Sequence, residues 1–518
     1  MKYRIGIDVG GTHTDAVILN QQQELVVKVK AATTEDIGTG IKKAIAACME
    51  QSGIDPVQVT HAMLGTTHCT NAIVERHGLS RIGVLRIGAP ATMAIPPFTG
   101  WPQDLMDAVF VGSEIVAGGH EFDGQRIADL DEANIRRIGR EWCGKVAAVA
   151  ITAVNSPVDT VDELRAKEIL TEELGEAVHF SLSYEIGSIG LLERENATIL
   201  NASLVAAARR MVDGFEGSLM ENGIQHAQIF LSQNDGTLMR SSYALRFPVL
   251  TIASGPTNSI RGAAYLSNVQ NALVIDVGGT TTDIGVLVQG FPRESSLVAE
   301  IGGVRTNFRM PDLLSFGLGG GTRIRELGAA VQIGPDSVGY QLPQKGLVFG
   351  GDTLTATDIA VAIGQASLGD PAKVNHLPKP DVDTTYRRMV ELVEEAIDKM
   401  KTSADPVPAI LVGGGSILLP DRMAGVSEVI RPANFDVANA IGVTIAQVSG
   451  QIEKIYSIVD WGREKAVADA QQAAMSEAIA AGAKEESIVI VDMEEVPLAY
   501  LPGNAVRIRV KAVGELSI

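Results

Sequence analysis

Two hydrophobic patterns far apart in the chain resemble each other closely. Residues 3–19 read YRIGIDVGGTHTDAVIL, and residues 272–288 read ALVIDVGGTTTDIGVLV. In each copy an apolar run reaches an aspartate, breaks at Gly-Gly-Thr, and becomes apolar again after a second aspartate. A polar turn and a third apolar run follow, up to residue 31 and residue 301 respectively. Alternation with period two between glycine-rich turns predicts an antiparallel β-meander at the start of each half of the molecule.

Helical and strand patterns alternate through the rest of the chain. Four apolar residues spaced by three or four positions predict an amphipathic helix within residues 384–402. Further helices are predicted at residues 40–53, 191–220 and 461–481, and strands at residues 81–88, 146–154, 408–412 and 506–510, while residues 228–239 are predicted to form a strand and a loop. This alternation predicts an α/β fold, which we divide into residues 1–190, 191–455 and 456–518.

The glycine turns have the composition of a phosphate-binding site. Glycine lets a phosphate approach the backbone, and threonine hydroxyls and turn N–H groups can donate to its oxygens. One such turn is equally typical of a plain tight hairpin, but two near-identical copies favour a clamp on the β- and γ-phosphates of a nucleotide. The predicted nucleotide contacts are Gly10, Gly11, Thr12, Thr14, Asp15, Gly278, Gly279, Thr280, Thr282 and Asp283. Asp8 and Asp276, at the strand ends, are the predicted catalytic residues and Mg²⁺ ligands.

A third glycine turn, VGGGS, ends a buried strand at residues 412–416. A turn without side chains can lie against a nucleoside, although glycine turns after buried strands are common. Because it follows the two phosphate turns in the chain, we predict nucleoside contacts at this turn. The residues concerned are Gly413, Gly414, Gly415 and Ser416.

Composition and charge narrow the classes of function. The 518 residues are 46% hydrophobic and 20% charged, as is ordinary for globular proteins. A net charge of −19 without a basic run argues against nucleic acid as the main partner. No apolar stretch is long enough to span a bilayer, and three widely spaced cysteines suit a reducing compartment. We therefore expect a cytoplasmic protein that binds neither nucleic acid nor membrane.

The three glycine turns, in this order, resemble the actin/hexokinase/Hsp70 superfamily of ATPases. A narrower resemblance, to the hydantoinase A/5-oxoprolinase family, is carried by six further segments. These are LGTTHCTNAIVERHG (64–78), GLLERENATILNA (190–202), FLSQNDGTLM (230–239), TIASGPTNSIRGA (251–263), LLSFGLGGGT (313–322) and IGPDSVG (333–339). The resemblance implies two actin-like (ribonuclease H-like) lobes with ATP and Mg²⁺ in the cleft between them.

The family resemblance also implies an activity. It implies an ATP-dependent amidohydrolase subunit that phosphorylates the carbonyl of a cyclic amide or imide, with a second hydantoinase-type subunit completing hydrolysis. Two alternatives remain open: a small-molecule kinase of the same fold, and an ATP-driven regulatory or reactivating module. Free phosphate with ring-opened product would indicate the hydrolase, and a phosphorylated product would indicate the kinase. ATP turnover stimulated only by a protein would indicate the module.

A few polar residues are weaker candidates for substrate contact. His13 lies inside the first phosphate turn, and a small-polar segment follows a predicted apolar run at residues 66–71. A hydrogen-bonded turn explains these residues equally well. The possible substrate contacts are His13, Thr66, Thr67, His68 and Asn71. His61, His68 and His77 also raise the question of a metal site, but their spacing matches no familiar compact set of ligands.

Overall fold

The structure is a computed structural model that describes residues 1–10, 13–32, 37–122, 124–187, 189–295, 299–307, 310–328, 330–499 and 503–516. The strands are β1 (Tyr3–Val9), β2 (His13–Leu19), β3 (Leu25–Ala32), β4 (Val59–Thr66), β5 (Ile82–Ala89), β6 (Phe110–Ala117), β7 (Ala148–Ala153), β8 (His179–Leu182), β9 (Gln228–Ser232), β10 (Leu238–Arg240), β11 (Ala272–Val277), β12 (Thr282–Val288), β13 (Phe291–Pro292), β14 (Ala299–Ile301), β15 (Val304–Thr306), β16 (Leu313–Phe316), β17 (Thr322–Arg325), β18 (Gln332–Ser337), β19 (Val407–Val412), β20 (Val426–Ile430), β21 (Val448–Ser457), β22 (Val489–Pro497) and β23 (Ala505–Gly514). The helices are α1 (Ile37–Ser52), α2 (His68–Val74), α3 (Gln103–Val109), α4 (Glu132–Trp142), α5 (Val161–Leu174), α6 (Leu191–Glu221), α7 (Ser241–Arg246), α8 (Ser254–Ser267), α9 (Leu342–Lys345), α10 (Ala356–Ala362), α11 (Lys379–Met400), α12 (Ala438–Ile445), α13 (Ile458–Trp461) and α14 (Arg463–Ala481).

The first meander forms one end of a nine-stranded sheet with the order β22-β23-β21-β10-β9-β4-β1-β2-β3, in which β3 is the edge strand. β1 runs antiparallel to β2 and parallel to β4, so the turn after β1 and the start of α2 lie at one edge. Ile5 and Ile7 are fully buried in a core shared with α1 and α6. The three strands and the helix predicted for this part of the chain are therefore confirmed. The helix begins and ends within three residues of its predicted bounds.

The second meander lies in a separate sheet with the order β13-β12-β11-β19-β20, and β16 also pairs with β12. The third apolar run was predicted to extend this meander, and that prediction is wrong for its described part. β14 pairs instead with β15, outside this sheet, while residues 296–298 lie outside the described residues. The strand that does follow β12 stops after two residues at Pro292, which has no N–H to donate to the ladder.

Residues 82–182 add a third sheet, which is parallel and has the order β6-β5-β7-β8. In the chain, this sheet comes after β4 and before the long helix α6. Helices α4 and α5 pack against it in a hydrophobic core that includes Trp142. Strands β9, β10 and β21–β23 belong to the same nine-stranded sheet as the first meander. This sheet therefore crosses the domain boundaries that we predicted after residues 190 and 455. Within the described residues, no helix is both long and apolar enough to cross a membrane.

Helices α8 and α12 lie between the two meander sheets. Ile260 and Ala263 of α8 pack on β11 and β19, and α12 packs on β1 and β2. The helices cross at two glycines: a Cβ at Gly262 would lie 1.9 Å from the carbonyl oxygen of Ala438, and one at Gly442 would lie 1.9 Å from that of Asn258. Only glycine allows so close an approach, which brings the N-terminal halves of both helices to the cleft between the sheets.

Candidate functional site

A cavity of 340 Å³ lies between the two meander sheets. Cavities of roughly 300 Å³ and above are typical of small-molecule sites. Its lining comprises both glycine-rich hairpins, the glycine turn after β19, and the first turns of α8 and α12. The predicted site residues that line it are Asp8, Gly10, His13, Asp15, Thr67, Asp276, Gly278, Gly279, Thr280, Asp283, Gly413, Gly414 and Gly415. The cavity thus brings together residues far apart in the chain, as expected for a clamp between two halves.

The two hairpin turns are closed by corresponding backbone hydrogen bonds. The N–H of Gly10 donates to the carbonyl of His13 at 3.0 Å, and that of Gly278 donates to the carbonyl of Thr281 at 2.9 Å. Gly11 and Thr12 lie outside the described residues. Because both turns close in the same way, the residues on either side of them occupy corresponding positions.

Each hairpin presents a row of polar side chains across neighbouring strands. In the first hairpin, Asp8 of β1 pairs in register with Asp15 of β2, which pairs with Lys30 of β3. In the second hairpin, the corresponding row is Asp276, Asp283 and Ser315. Residues directly opposite each other on neighbouring strands point to the same face of the sheet. The first row therefore points as a unit into the cavity, with a lysine at its outer end.

The second row runs from Asp276 of β11 to Asp283 of β12 and Ser315 of β16. The hydroxyl of Ser315 hydrogen-bonds Asp283, whereas Lys30 in the first row forms an ion pair with Asp15. The outer position therefore carries a positive charge in one hairpin and a neutral hydroxyl in the other.

The cavity holds carboxyl groups that burial makes hard to ionise. Burial raises the pKa of Asp8 to about 7, against hydrogen bonds from two asparagines, and raises the pKa of Asp283 to about 6. Burial also raises the pKa values of Asp15 and Asp276. Bound cations favour the ionised form of such groups. Mg²⁺ that arrives with a nucleotide takes one or two protein carboxylates as ligands, so the side chains of Asp8 and Asp276 have the chemistry that such a site requires.

Three side chains that we did not single out from the sequence hydrogen-bond the catalytic candidates, and two of them connect Asp8 with Asp276. Asn258 Nδ2 donates to Asp8 Oδ1 at 3.2 Å, and Asn439 Nδ2 donates to Asp8 Oδ2 at 3.4 Å. The hydroxyl of Ser259 lies within hydrogen-bonding reach of both Asp276 and Asn439. These residues form a bridge, Asp8–Asn439–Ser259–Asp276, across the gap between the sheets. The segment TIASGPTNSIRGA carried the family resemblance and was the available signal for two of them.

The third glycine turn packs directly on the second hairpin. Gly413 has φ of +81°, and a Cβ there would lie 2.1 Å from Oδ1 of Asp276. A Cβ at Gly415 would lie 2.5 Å from the carbonyl oxygen of Gly278. Leu342, Leu368, Ile417 and Leu418 also line this part of the cavity, so its wall has the apolar character that a nucleoside base requires. Ser416, by contrast, is fully buried behind the turn.

Two predicted threonine contacts face away from the cavity. Thr14 and Thr282 are buried, and the hydroxyl of Thr282 donates to the carbonyl of Leu318 at 2.6 Å. The reason is strand alternation: each threonine directly precedes an aspartate that faces the cavity, so its own side chain points to the opposite face. Thr281, which was not predicted, lines the cavity instead.

The segment at residues 66–71 reaches the cavity only through Thr67. The hydroxyl of Thr66 accepts from the N–H of His68 at 3.1 Å, which closes the turn before α2. His68 is half-buried, and burial lowers the pKa of its imidazole, while Asn71 is exposed on α2. Of the predicted substrate contacts in this segment, Thr66, His68 and Asn71 therefore do not line the cavity.

The three histidines raised as metal ligands lie apart. His61 is buried in β4 and stacks on Phe230, whereas His77 is exposed after α2. Across the described parts of the chain, no group of three or more histidine, cysteine, aspartate or glutamate side chains is arranged to hold a metal ion. Mg²⁺ carried into the cavity by a nucleotide needs fewer protein ligands, because phosphates and water supply the others.

Two family models match the chain over most of its length. One is described as the hydantoinase/oxoprolinase N-terminal region and matches residues 4–174. The other is described as hydantoinase/oxoprolinase and matches residues 194–404. The second match contains the second hairpin, α8 and β16, so both hairpins of the cavity fall within the matched regions.

Curated relatives are similar at low identity. The chain is 25% identical over 500 residues to caprolactamase subunit alpha of Pseudomonas jessenii, covering 88% of this chain and 68% of that protein. It is 26% identical to the acetophenone carboxylase gamma subunit of Aromatoleum aromaticum, covering 70% and 53%. It is 24% identical to 5-oxoprolinase 1 of Arabidopsis thaliana, covering 70% and 31%. The chain therefore spans between about a third and about two thirds of these relatives.

Solved structures confirm the predicted fold. ATP-dependent caprolactamase from Pseudomonas jessenii matches with a TM-score of 0.79 at 20% identity, over 99% of this chain and 88% of that one. Nucleotide-free acetone carboxylase matches with a TM-score of 0.69 at 17% identity, over the same shares. The two-lobed α/β architecture predicted from the three glycine turns is thus the fold of this chain.

Proposed function

Because this chain belongs to the hydantoinase/oxoprolinase family, as its motifs predicted, we propose that it is an ATP-dependent amidohydrolase subunit. Its substrate is a cyclic amide or imide, and its role is to activate the carbonyl group for hydrolysis. The observation that carries this proposal is the cavity between two matching aspartate hairpins, with Asp8 and Asp276 bridged across it. An arrangement of this kind suits phosphoryl transfer, in which catalysis is mostly positioning and charge neutralisation.

The proposed reaction begins with ATP held by both hairpins and its base against the turn at Gly413–Gly415. The carbonyl oxygen of the amide attacks the γ-phosphorus, and the bond from that phosphorus to the β–γ bridging oxygen breaks. ADP leaves, and the amide becomes an imidate-like phosphate. A carbonyl oxygen carries no proton, so this transfer requires no general base. Water then attacks the activated carbon, and the ring C–N bond of the resulting adduct breaks as the nitrogen takes up a proton, which leaves a ring-opened acyl phosphate. A second water hydrolyses the acyl phosphate to the carboxylate and free phosphate.

The chain's own residues position these groups. Asp8 and Asp276 would hold Mg²⁺, which when bound neutralises charge on the phosphates. Asn258, Ser259 and Asn439 hold the two carboxylates at a fixed separation. We assign the water-attack step to a second hydantoinase-type subunit, because we identify no nucleophile–histidine pair among the residues that line the cavity. The relatives named as subunits alpha and gamma support a protein of more than one chain.

The test compares the chain alone with the chain plus a candidate second subunit, using ATP, Mg²⁺ and a panel of lactams and cyclic imides. The chain alone should cleave ATP slowly and only with the right substrate. Ring-opened product should appear efficiently, at one ATP per ring, only with both subunits. Vigorous ring opening by this chain alone would contradict the assignment of the water-attack step to a partner. A stable phosphorylated alcohol or acid would establish the kinase alternative instead.

Acetophenone and acetone carboxylase subunits are also relatives, so the panel includes ketones with bicarbonate. A ketone also presents a carbonyl oxygen to the γ-phosphate. ATP cleavage that depends on a ketone, with no response to any cyclic amide, would move the proposed substrate class from amides to ketones while leaving the phosphoryl-transfer role in place.

A further inference from the structure

The cavity is strongly acidic for a site that would bind a polyphosphate. Five carboxyl groups line it, and among the described residues of its lining Lys30 is the one lysine, with no arginine. The carboxyl groups are those of Asp8, Asp15, Asp276, Asp283 and Asp436. Mg²⁺ offsets part of this charge, but the terminal phosphate carries the most negative charge of the nucleotide. Among the described residues of the lining, Lys30 is therefore the one lysine or arginine side chain that can meet this phosphate.

We propose that Lys30 binds the terminal phosphate of the nucleotide, giving up its ion pair with Asp15 to do so. This inference rests on the proposed function, because it requires a nucleoside triphosphate in the cavity. It assigns to the first hairpin a contact that the second hairpin does not offer, since Ser315 occupies the corresponding outer position.

The order of groups along the cavity supports this assignment. The turn at Gly413–Gly415 packs on the second hairpin, so the nucleoside lies on that side. The phosphate chain then extends from the second hairpin towards the first, and its last phosphate reaches the row of Asp8, Asp15 and Lys30. The positive charge stands at the end of the cavity where the nucleotide is most negative.

The position of Lys30 also allows it to change partners. Its Nζ lies 2.7 Å from Oδ1 of Asp15, and its side chain is 34% exposed. The ammonium group of Lys30 is therefore partly in contact with water, and it can move from Asp15 to another anion in the cavity without first becoming buried. Lysine reaches phosphates as a flexible point charge on a long stem.

Lys28 provides a matched control on the same strand. It lies two residues before Lys30, carries the same charge, and pairs with Asp436 at 2.8 Å, but it does not line the cavity. The substitutions Lys30→Met and Lys28→Met therefore each remove one ion pair with an aspartate of the cavity lining, Asp15 and Asp436 respectively, and change the net charge equally. Only the first removes the group that we place against the nucleotide.

The experiment measures the dissociation constants of Mg·AMP-PNP and Mg·ADP for the wild-type chain and both variants by titration calorimetry. Lys30→Met should weaken AMP-PNP binding by roughly 10- to 100-fold, the usual effect of losing a hydrogen bond between charged groups. ADP binding should change by less than about threefold, because ADP has no third phosphate. Lys28→Met should leave both constants within about threefold, and Lys30→Arg should keep most of the preference for AMP-PNP.

The outcomes separate this inference from the proposed function. If the wild-type chain binds neither nucleotide, the proposed function is wrong. If the wild-type chain binds both and Lys30→Met keeps the wild-type ratio of the two constants, the proposed function stands and the role of Lys30 is wrong. An equal loss of both nucleotides in Lys30→Met would show that Lys30 only supports the hairpin through Asp15. Thermal unfolding of each variant checks that it is folded, and Lys30→Gln replaces Lys30→Met if the methionine variant unfolds early.

Discussion

The first and second hairpins share a backbone but differ in the side chains around it. Both turns close with the same N–H to carbonyl hydrogen bond, and both place two aspartates in register across their strands. The first hairpin adds Lys30 at the outer end of its row, whereas the second adds Ser315 and packs against the glycine turn of residues 413–415. A repeated motif thus supplies the same frame twice, while the neighbouring residues give the two copies different chemistry: a lysine beside the first and a wall of glycine backbone beside the second.

The largest effect is expected from removing the feature that the hairpins share. Asp8→Asn and Asp276→Asn should each lower substrate-dependent ATP cleavage by at least about 100-fold, because each removes a charge that positions Mg²⁺ and the phosphates. Phosphate release measures the rate, and thermal unfolding shows that the variants are folded. Asp104→Asn, which removes an exposed carboxylate paired with Arg76, should stay within about twofold of the wild-type rate. Wild-type turnover in either cavity variant would contradict a clamp built from both hairpins.

The next effect concerns the bridge between the hairpins. Ser259→Ala and Asn439→Ala should each lower kcat by about 10-fold, because the two carboxylates lose the hydrogen bonds that fix their separation. For Ser259→Ala the dissociation constant of Mg·ADP should change much less, since Ser259 does not line the cavity. A kinetic comparison of kcat with KM for ATP provides the measurement. If both variants kept wild-type kcat, the bridge would support the fold without contributing to the reaction.

The pH dependence of stability should differ between the free chain and the chain with Mg·ADP bound. Burial raises the pKa of Asp8 from 3.8 to about 7, so the folded chain keeps a proton that the unfolded chain loses near pH 4. The stability that this proton contributes is fully present at low pH and is lost as the pH rises from about 4 to about 7. Mg²⁺ competes with the proton, so stabilisation by Mg·ADP should increase as the pH is raised from about 6 to about 8.

Thermal unfolding with and without Mg·ADP tests this sign. At about pH 8 the free Asp8→Asn variant should melt one to a few degrees above the free wild-type chain, because it buries no carboxylate charge. It should also lose most of the stabilisation by Mg·ADP. Stabilisation of the wild-type chain that weakened as the pH rose would contradict the raised pKa of Asp8 as the cause.

Sequence patterns predicted the local structure of the site better than its tertiary contacts. Period-two alternation and paired glycines were sufficient to predict β1, β2, β11 and β12, because these signals are local. The bridge was not predicted, since Asn439 and Ser259 meet only when α8 and α12 cross between the sheets. Their crossing depends on glycines 180 residues apart in the chain (442 − 262 = 180), and no local pattern connects such positions.

Two further discrepancies have simple physical causes. The third strand of the second meander ends early at Pro292, and β16 pairs with β12 from a more distant part of the chain.

The row ending in Lys30 could have been predicted from the segment VVKVKA, where the two lysines alternate with valines. Register alone would then have placed one lysine beside Asp15, but which of the two is opposite depends on the turn between β2 and β3, where the register shifts near Leu19.

The smallest effect is expected from the pair of threonines that precede the second aspartate of each hairpin. Thr282 donates to the carbonyl of Leu318 at 2.6 Å, whereas the hydroxyl of Thr14 is buried without a hydrogen-bond partner among the described residues. Thr282→Val should lower the free energy of unfolding by about 1 to 3 kcal/mol, because it leaves a buried carbonyl without its donor. Thr14→Val should change it by less than about 0.5 kcal/mol, or raise it, because no hydrogen bond is lost. Denaturant unfolding measures the free energy of unfolding of both variants.

Neither variant should change ATP cleavage by more than about threefold, since both threonine side chains face away from the cavity. A matching loss of ATP affinity in both variants would show instead that the hydroxyls turn to the phosphates in the bound state, as the sequence pattern alone suggested.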